Sequence, residues 1–438
     1  MERRKKGSNS TVVVGLDVGT TKICAIVGEI TGGGIDILAV SAYPSNGLKK
    51  GVVIDIEATA HSIRKAIAGV SEDTGLEITE VYVGIAGSHI KSFNSSGAVG
   101  IKGREVTHED VERAIDSASA VYIPLDREIL HVLPTEFILD GQDGIKDPVG
   151  MAGVRLEVKV YIVTGAVTSV QNLLKCCERA GLEVIDIVLQ PLASSHAVLT
   201  PYEREMGIVL VDIGGGTTDI ALYRDEWLRH TAVLGIGGNH FTNDVSIGLK
   251  LPFPEAERVK KKYGSVLPSG TAEDDGRAEV DVVAIDGQVR GIPRKYITEI
   301  LHPRGEELLD LVKQEVRAIQ QSGIAVSGVV LTGGASLLSG FDRMAEAILG
   351  LPVRIGYPDR SPRTPAGNGY SLSRTEMQQV NGLKSEYNSP MYATAIGLVL
   401  YGAESVDPVE EKFLSSDLFN RIVNTMTGWF KKIVSSKQ

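Results

Sequence analysis

Short apolar runs separated by polar turns open the chain. Residues 12–16, 22–29 and 35–43 read as three strands, with Gly32, Gly33 and Gly34 at the second turn. Ile56, Ala60, Ile63, Ile67 and Val70 then recur at helical steps, predicting a helix over 57–69, and a buried strand follows at 81–85. The pattern changes between 87 and 160 to a polar strand, one helix and two further strands at 128–139 and 154–163. That helix opens at Thr107 with Glu109 and Asp110 in its first turn, the pattern of a capping box. A helix at 170–180, a strand at 184–189 and a helix at 191–199 come next.

A second strand–turn–strand unit begins at 208. Helices are predicted from Gly237, Gly238 and Asn239 toward 249, over 254–263 and over 305–321, with a short polar β region at 265–295. Residues 327–357 complete a second α/β half, and 358–389, rich in Pro, Ser, Gly and Asn, read as a flexible insertion. An apolar helix at 392–401 follows, in which Ala395 and Gly397 permit close helix contact, and then a polar linker at 404–416.

The last stretch differs in kind. Phe419, Ile422, Met426, Trp429 and Phe430 recur at helical steps, while Lys431, Lys432, Arg421 and Asn424 take the other face. Aromatic residues opposite basic ones describe a helix lying in a membrane surface, and its basic end suits anionic lipid. Docking on the body of the protein or on another subunit would use the same stripe.

Composition narrows the field. The chain has 438 residues, enough for two or three domains, with 23% charged and 5% aromatic residues, as in a folded α/β protein. A net charge of −10 argues against nucleic acid as the main partner. Cys24, Cys176 and Cys177 have no metal-ligand spacing and read as reduced thiols. The basic N-terminus leads into an apolar run broken by Asp17, too short for a signal-peptide core, and no stretch approaches the ~20 apolar residues of a spanning helix.

The chemistry concentrates in two glycine-rich turns. In the second unit a strand ends at Asp212, and Gly214, Gly215, Gly216, Thr217 and Thr218 precede the return strand. Glycines let the backbone approach a ligand, successive free N–H groups form an anion nest, and Asp212 could hold a metal directly or through water. Taken alone, this is also compatible with an ordinary glycine-rich hairpin. The same grammar occurs about 195 residues earlier: Asp17, Gly19, Thr20, Thr21 and Lys22. Two phosphate hairpins suggest a duplicated fold with phosphates clamped between the halves. A third turn, Gly333-Gly334, follows a strand and precedes a helix, and could pass under a flat base and sugar. The glycine pair Gly237-Gly238 at a helix start also suits an anion.

These stretches, in this order, resemble the actin-like ATPase superfamily, which includes actin, heat-shock chaperone ATPases, sugar kinases and MreB. With residues 45–55 and 234–245, they look most similar to the bacterial FtsA family of division proteins. The resemblance implies an α/β, duplicated actin-like (ribonuclease-H-like) two-lobed fold with inserted small subdomains and a C-terminal amphipathic helix. By that likeness 1–86 and 161–195 form subdomain 1A, and 87–160 an inserted 1C-like subdomain. Residues 196–250 and 301–402 form 2A, 251–300 form 2B, 403–416 a linker and 417–438 the membrane helix.

It further implies ATP with magnesium near Asp17 and Asp212, and a nucleoside flanked by Glu257 and Lys260, which also read as a solvated helix face. Gln190 would orient water for slow hydrolysis, or is a packing or capping glutamine. The implied partners are the C-terminal tail of FtsZ, docking near Arg290, Arg294, Lys295 and Arg304, copies of the chain itself, other division proteins, and the cytoplasmic face of the membrane at the septum. An MreB-like or pilus-assembly scaffold is the nearer alternative, and a sugar kinase the more distant. A kinase would need a carboxylate base at a substrate pocket and has no use for the terminal helix.

Overall fold

The computed structural model describes residues 11–31, 34–267, 279–359 and 380–406. The stripe from Phe419 to Lys432, its linker and residues 360–379 of the expected insertion lie outside them.

Two sheets repeat one plan. In the first, Val12–Val18 and Lys22–Thr31 form an antiparallel hairpin, and Gly34–Pro44 pairs on the outer side. Glu80–Ile85 and then Glu183–Leu189 extend the other side in parallel. In the second, Ile208–Ile213 and Thr218–Arg224 are the hairpin, Trp227–Leu234 the outer strand, and Gly328–Thr332 and Val353–Ile355 the parallel pair. Counted within each half, both sheets run 3-2-1-4-5, with Val380–Asn381 added at the edge of the first. This is the duplicated two-lobed α/β fold that the paired hairpins imply.

The central strands are apolar on both faces because helices cover both: Ile208–Ile213 is buried throughout. Ile56–Thr74 covers the first sheet with Ala60, Ile63, Ile67 and Val70. Asp55 caps its start by accepting from Ala58 N–H at 3.0 Å, and Gly75 ends it in the left-handed conformation.

The segment between the first parallel strands is a unit with its own core. Lys91–Gly100, Arg155–Ala166, Arg127–Leu139 and Gln142–Ile145 form a four-stranded antiparallel sheet in that order. The helix His108–Ser119 packs on it through Val111, Ala114, Ile115 and Ala118. Thr107 and Asp110 close the capping box. Tyr161 Oη bonds Thr231 Oγ1 at 3.0 Å, so this unit also touches the second lobe.

Two buried helices, Gln190–Val198 and Ala393–Val406, cross between the sheets. They approach so closely that a Cβ on Gly397 would lie 1.8 Å from Ala193 O. Two differences from the sequence pattern bear on the site. Gln190 begins a helix instead of ending a strand. The long helix runs Arg294–Gln321, eleven residues earlier than the pattern indicated, with Pro303 inside it. Burial of Ile297, Thr298 and Leu301 on one face holds the segment helical through the proline. No helix among the described residues is long and apolar enough to cross a membrane.

Candidate functional site

A cavity of about 760 Å3 lies between the lobes, walled by both hairpins. Each tip closes in the same way: Gly19 N–H donates to Lys22 O at 3.1 Å, and Gly214 N–H to Thr217 O at 3.0 Å. The tips meet. A Cβ on Gly215 would lie 1.7 Å from Thr21 Oγ1, and one on Gly216 2.7 Å from Thr20 Oγ1, so side chains there would force the lobes apart.

Two carboxylates stand at matching strand ends. Asp17 Oδ1 accepts from Gln190 Nε2 at 3.0 Å. Asp212 Oδ2 accepts from Ser194 Oγ at 2.6 Å and from Thr394 Oγ1 at 3.2 Å. The two crossing helices therefore orient both groups. A third carboxylate, Asp219, pairs across the hairpin from Asp212 and accepts from Thr217 Oγ1 at 3.1 Å. Burial, and then the neighbouring Asp212, push Asp219 up to about 8. Burial pushes Asp17 up to about 6, against the pull of Lys22. Asp212 is raised as well, again chiefly by burial.

Facing these acids is Lys22. Its Nζ is buried, has no hydrogen-bond partner among the described residues and lies 4.4 Å from the Tyr392 ring centroid. A buried ammonium without acceptors is costly unless an anion joins it.

On the far wall Lys260 Nζ sits 2.7 Å from Glu257 and donates to Gly238 O at 3.0 Å and Thr242 Oγ1 at 2.8 Å. Burial lowers the Lys260 pKa, partly offset by Glu257. Gly333, at φ 82°, brings the third turn against Asp212: a Cβ there would meet Asp212 Oδ1 at 2.4 Å. Gly334 lines the cavity beside it.

Not every expected residue faces the cavity. Thr218 is buried and donates to Ile236 O at 2.8 Å. The helix start at Gly237-Gly238 is not an open anion site, because its first amides are engaged. Gly238 N–H and Asn239 N–H donate to Gly214 O and Gly215 O, each at 2.8 Å. The glycine pair instead lets the helix buttress the second tip.

The four basic residues are not one free patch. Arg304 forks onto Asp244 at 2.6 and 3.1 Å, and Arg290 pairs with Asp286. Lys295 lies over Tyr296, and Arg294, held to Tyr263 O at 3.0 Å, lines the cavity. Ser194, Thr394 and Asp219 were missed from sequence. Only Asp219 left a signal, being the strand partner of a residue already singled out.

A family model described as Cell division protein FtsA matches residues 209–397, and one described as SHS2 domain inserted in FTSA matches 87–164. The cell division protein FtsA of Pseudomonas aeruginosa is 43% identical over 396 residues, covering 90% of this chain and 89% of its own. The chain belongs to the FtsA family. FtsA of Neisseria meningitidis is 41% identical over 391 residues, 88% of each chain, and FtsA of Escherichia coli 36% over 439, 98% of each. It is thus a cell division protein with an actin-like fold. Among solved structures it resembles the PilM-PilN type IV pilus biogenesis complex, with a TM-score of 0.61 at 18% identity, covering 90% of this chain and 99% of that one. The ethanolamine utilization protein EutJ from Carboxydothermus hydrogenoformans has a TM-score of 0.50 at 19% identity, covering 90% of each chain. Both likenesses concern the fold. The FtsA insertion domain coincides with the four-stranded unit.

Proposed function

We propose that this FtsA-family protein binds MgATP between its lobes, assembles with copies of itself, and ties FtsZ filaments to the membrane. The observation that carries the nucleotide is the buried Lys22 Nζ, which has no hydrogen-bond acceptor among the described residues and lines the cavity walled by the two glycine tips. A phosphate there would give the ammonium its acceptor. The amides of Thr20, Thr21, Gly215, Gly216 and Thr217, with the Thr20 and Thr21 hydroxyls, would cradle the rest, while the Gly19 and Gly214 amides hold the tips closed, with the base toward Gly333-Gly334 and the Glu257–Lys260 pair.

No group of three such side chains among the described residues is placed to ligate a metal directly, but a divalent cation near Asp17 and Asp212 would favour their ionised forms. Asp17 and Asp212 would hold magnesium through water, as suits an ion that sheds water reluctantly. Gln190 keeps Asp17 in place through its amide nitrogen. A carboxamide can orient water but cannot accept its proton, so hydrolysis is slow and the protein acts chiefly as a scaffold.

Membrane attachment rests on the stripe from Phe419 to Phe430 with Lys431 and Lys432. One such amphipathic stripe would bind reversibly, and self-association would multiply it. The protein would then sit at the cytoplasmic face of the division septum. The FtsZ tail would use the basic region around Lys295, and other division proteins would be recruited there. Calorimetry tests the nucleotide claim: full-length protein binds MgATP, and Gly215→Asp, which adds bulk and charge at the tip, abolishes it. Unchanged affinity in that variant contradicts the site.

A further inference from the structure

Residues 45–55 lead from the outer strand of the first sheet to the helix Ile56–Thr74, and they pass over both hairpin tips. Gly51 N–H donates to Thr20 Oγ1 at 3.0 Å. A Cβ on Gly216 would meet that same oxygen at 2.7 Å and Lys50 Cα at 3.1 Å. The segment, the first tip and the second tip thus share one contact.

The backbone there is tightly held. A Cβ on Gly51 would lie 2.7 Å from Ala86 O, and one on Gly47 2.5 Å from Asp55 O. Both glycines have positive φ, and so does Lys50, at 50°. That left-handed conformation disfavours a side chain, and such strain persists where the surroundings impose it, often beside ligand sites. A lysine occupies a position where glycine would be unstrained. Its ammonium reaches the other lobe: a Cβ on Gly235 would meet Lys50 Nζ at 3.5 Å. The side chain is exposed and has no hydrogen bond or ion pair among the described residues.

We propose that Lys50 reads the terminal phosphate of a nucleoside triphosphate and draws the two lobes together over it. The inference rests on the nucleotide reading above and adds what would distinguish triphosphate from diphosphate. An ammonium carried by one lobe to Gly235, next to the strand partner of Thr218 in the other lobe's hairpin, is attracted by an anion that lies between the tips. A diphosphate lacks the group nearest those tips. Lys50 is in this sense a positioning residue: it favours the closed arrangement.

The test uses the full-length chain and calorimetry with MgATP and MgADP, alongside thermal melts. Lys50→Gly removes the ammonium and relaxes the backbone, so its melting temperature stays level or rises. Its ATP affinity falls about tenfold while its ADP affinity changes less than about twofold, the size of one lost charge-assisted contact. Lys50→Ala shows the same selectivity, and Lys50→Arg keeps most of the ATP preference. The inference is overturned if wild type binds both nucleotides and Lys50→Gly either retains the ATP preference or loses both affinities equally. If wild type binds neither, the nucleotide reading fails first and takes this inference with it.

Discussion

Gly237→Ala is the sharpest perturbation of the second phosphate hairpin. Gly237 has an extended backbone, so alanine meets no conformational penalty there. The obstacle is contact with main chain. The added methyl would lie 2.7 Å from Gly214 O and 2.9 Å from both Gly215 C and Gly215 O. None of these is the end of a flexible side chain. Ordinary contact needs ~3.5 Å, so the tip and the helix start must part by roughly 0.7 Å.

That movement strains the amide bonds from Gly238 and Asn239 to the tip carbonyls. Overpacking of this kind costs about 1–3 kcal/mol, and weakening two hydrogen bonds adds roughly 1 kcal/mol. The total, about 2–4 kcal/mol, divides between global stability and the geometry of the nest. A phosphate nest displaced by nearly an ångström should lose at least about tenfold in MgATP affinity. Thermal denaturation without nucleotide reads the first part, and calorimetry with MgATP reads the second. Gly100→Ala is the control, since nothing lies within 4 Å of its added Cβ. The reasoning is refuted if Gly237→Ala melts like that control and binds MgATP within twofold of wild type.

Further outcomes follow from other contacts. Gly397→Ala drives a methyl against Ala193 O at 1.8 Å between the crossing helices; it should destabilise by at least about 3 kcal/mol in chemical denaturation, and a loss under 1 kcal/mol would contradict the packing. His131, buried with Nε2 accepting from Leu189 N–H at 3.0 Å, has its pKa lowered from 6.5 to about 4 by burial. The unfolded chain takes up this proton first as pH falls, so stability is full above 6.5 and decreases by up to about 3 kcal/mol toward 4. His131→Gln keeps an acceptor and should flatten that part of the curve measured by urea denaturation. Trp429→Glu, or truncation before Asp417, should leave liposomes in a flotation assay while still binding nucleotide, and flotation of the truncated form would move membrane contact to the body. Lys295→Glu should weaken FtsZ-tail binding in a salt-dependent way, and unchanged affinity would exclude that surface. Arg304→Glu is a poor probe of it, because breaking the fork to Asp244 would itself destabilise the protein by roughly 1–2 kcal/mol.

The duplicated hairpins were legible because their signals are local. A strand with Asp17 or Asp212 one residue before its end, followed by glycine and threonine, specifies the turn within ten residues. The capped helix at Thr107 was legible for the same reason. What sequence could not reveal depends on contacts across the fold. Ser194 and Thr394 matter only because two helices cross at Gly397 and reach Asp212. Arg294 looked like part of a basic surface, yet its helix starts early enough to turn it toward the cavity. The Gly237-Gly238 start suggested free amides, which the neighbouring tip occupies. Residues 45–55 carried part of the family resemblance, but nothing singled out Lys50 within them, because neither its left-handed backbone nor its reach to Gly235 has a one-dimensional signature.

The most direct test of the central claim is a crystal structure with magnesium and a non-hydrolysable ATP analogue. The account predicts triphosphate between the two glycine tips, with Lys22 Nζ in hydrogen-bond contact with a phosphate oxygen and the metal near Asp17 and Asp212. Nucleotide bound outside this cleft, or bound within it while Lys22 stays against Tyr392 and touches no phosphate, would contradict it.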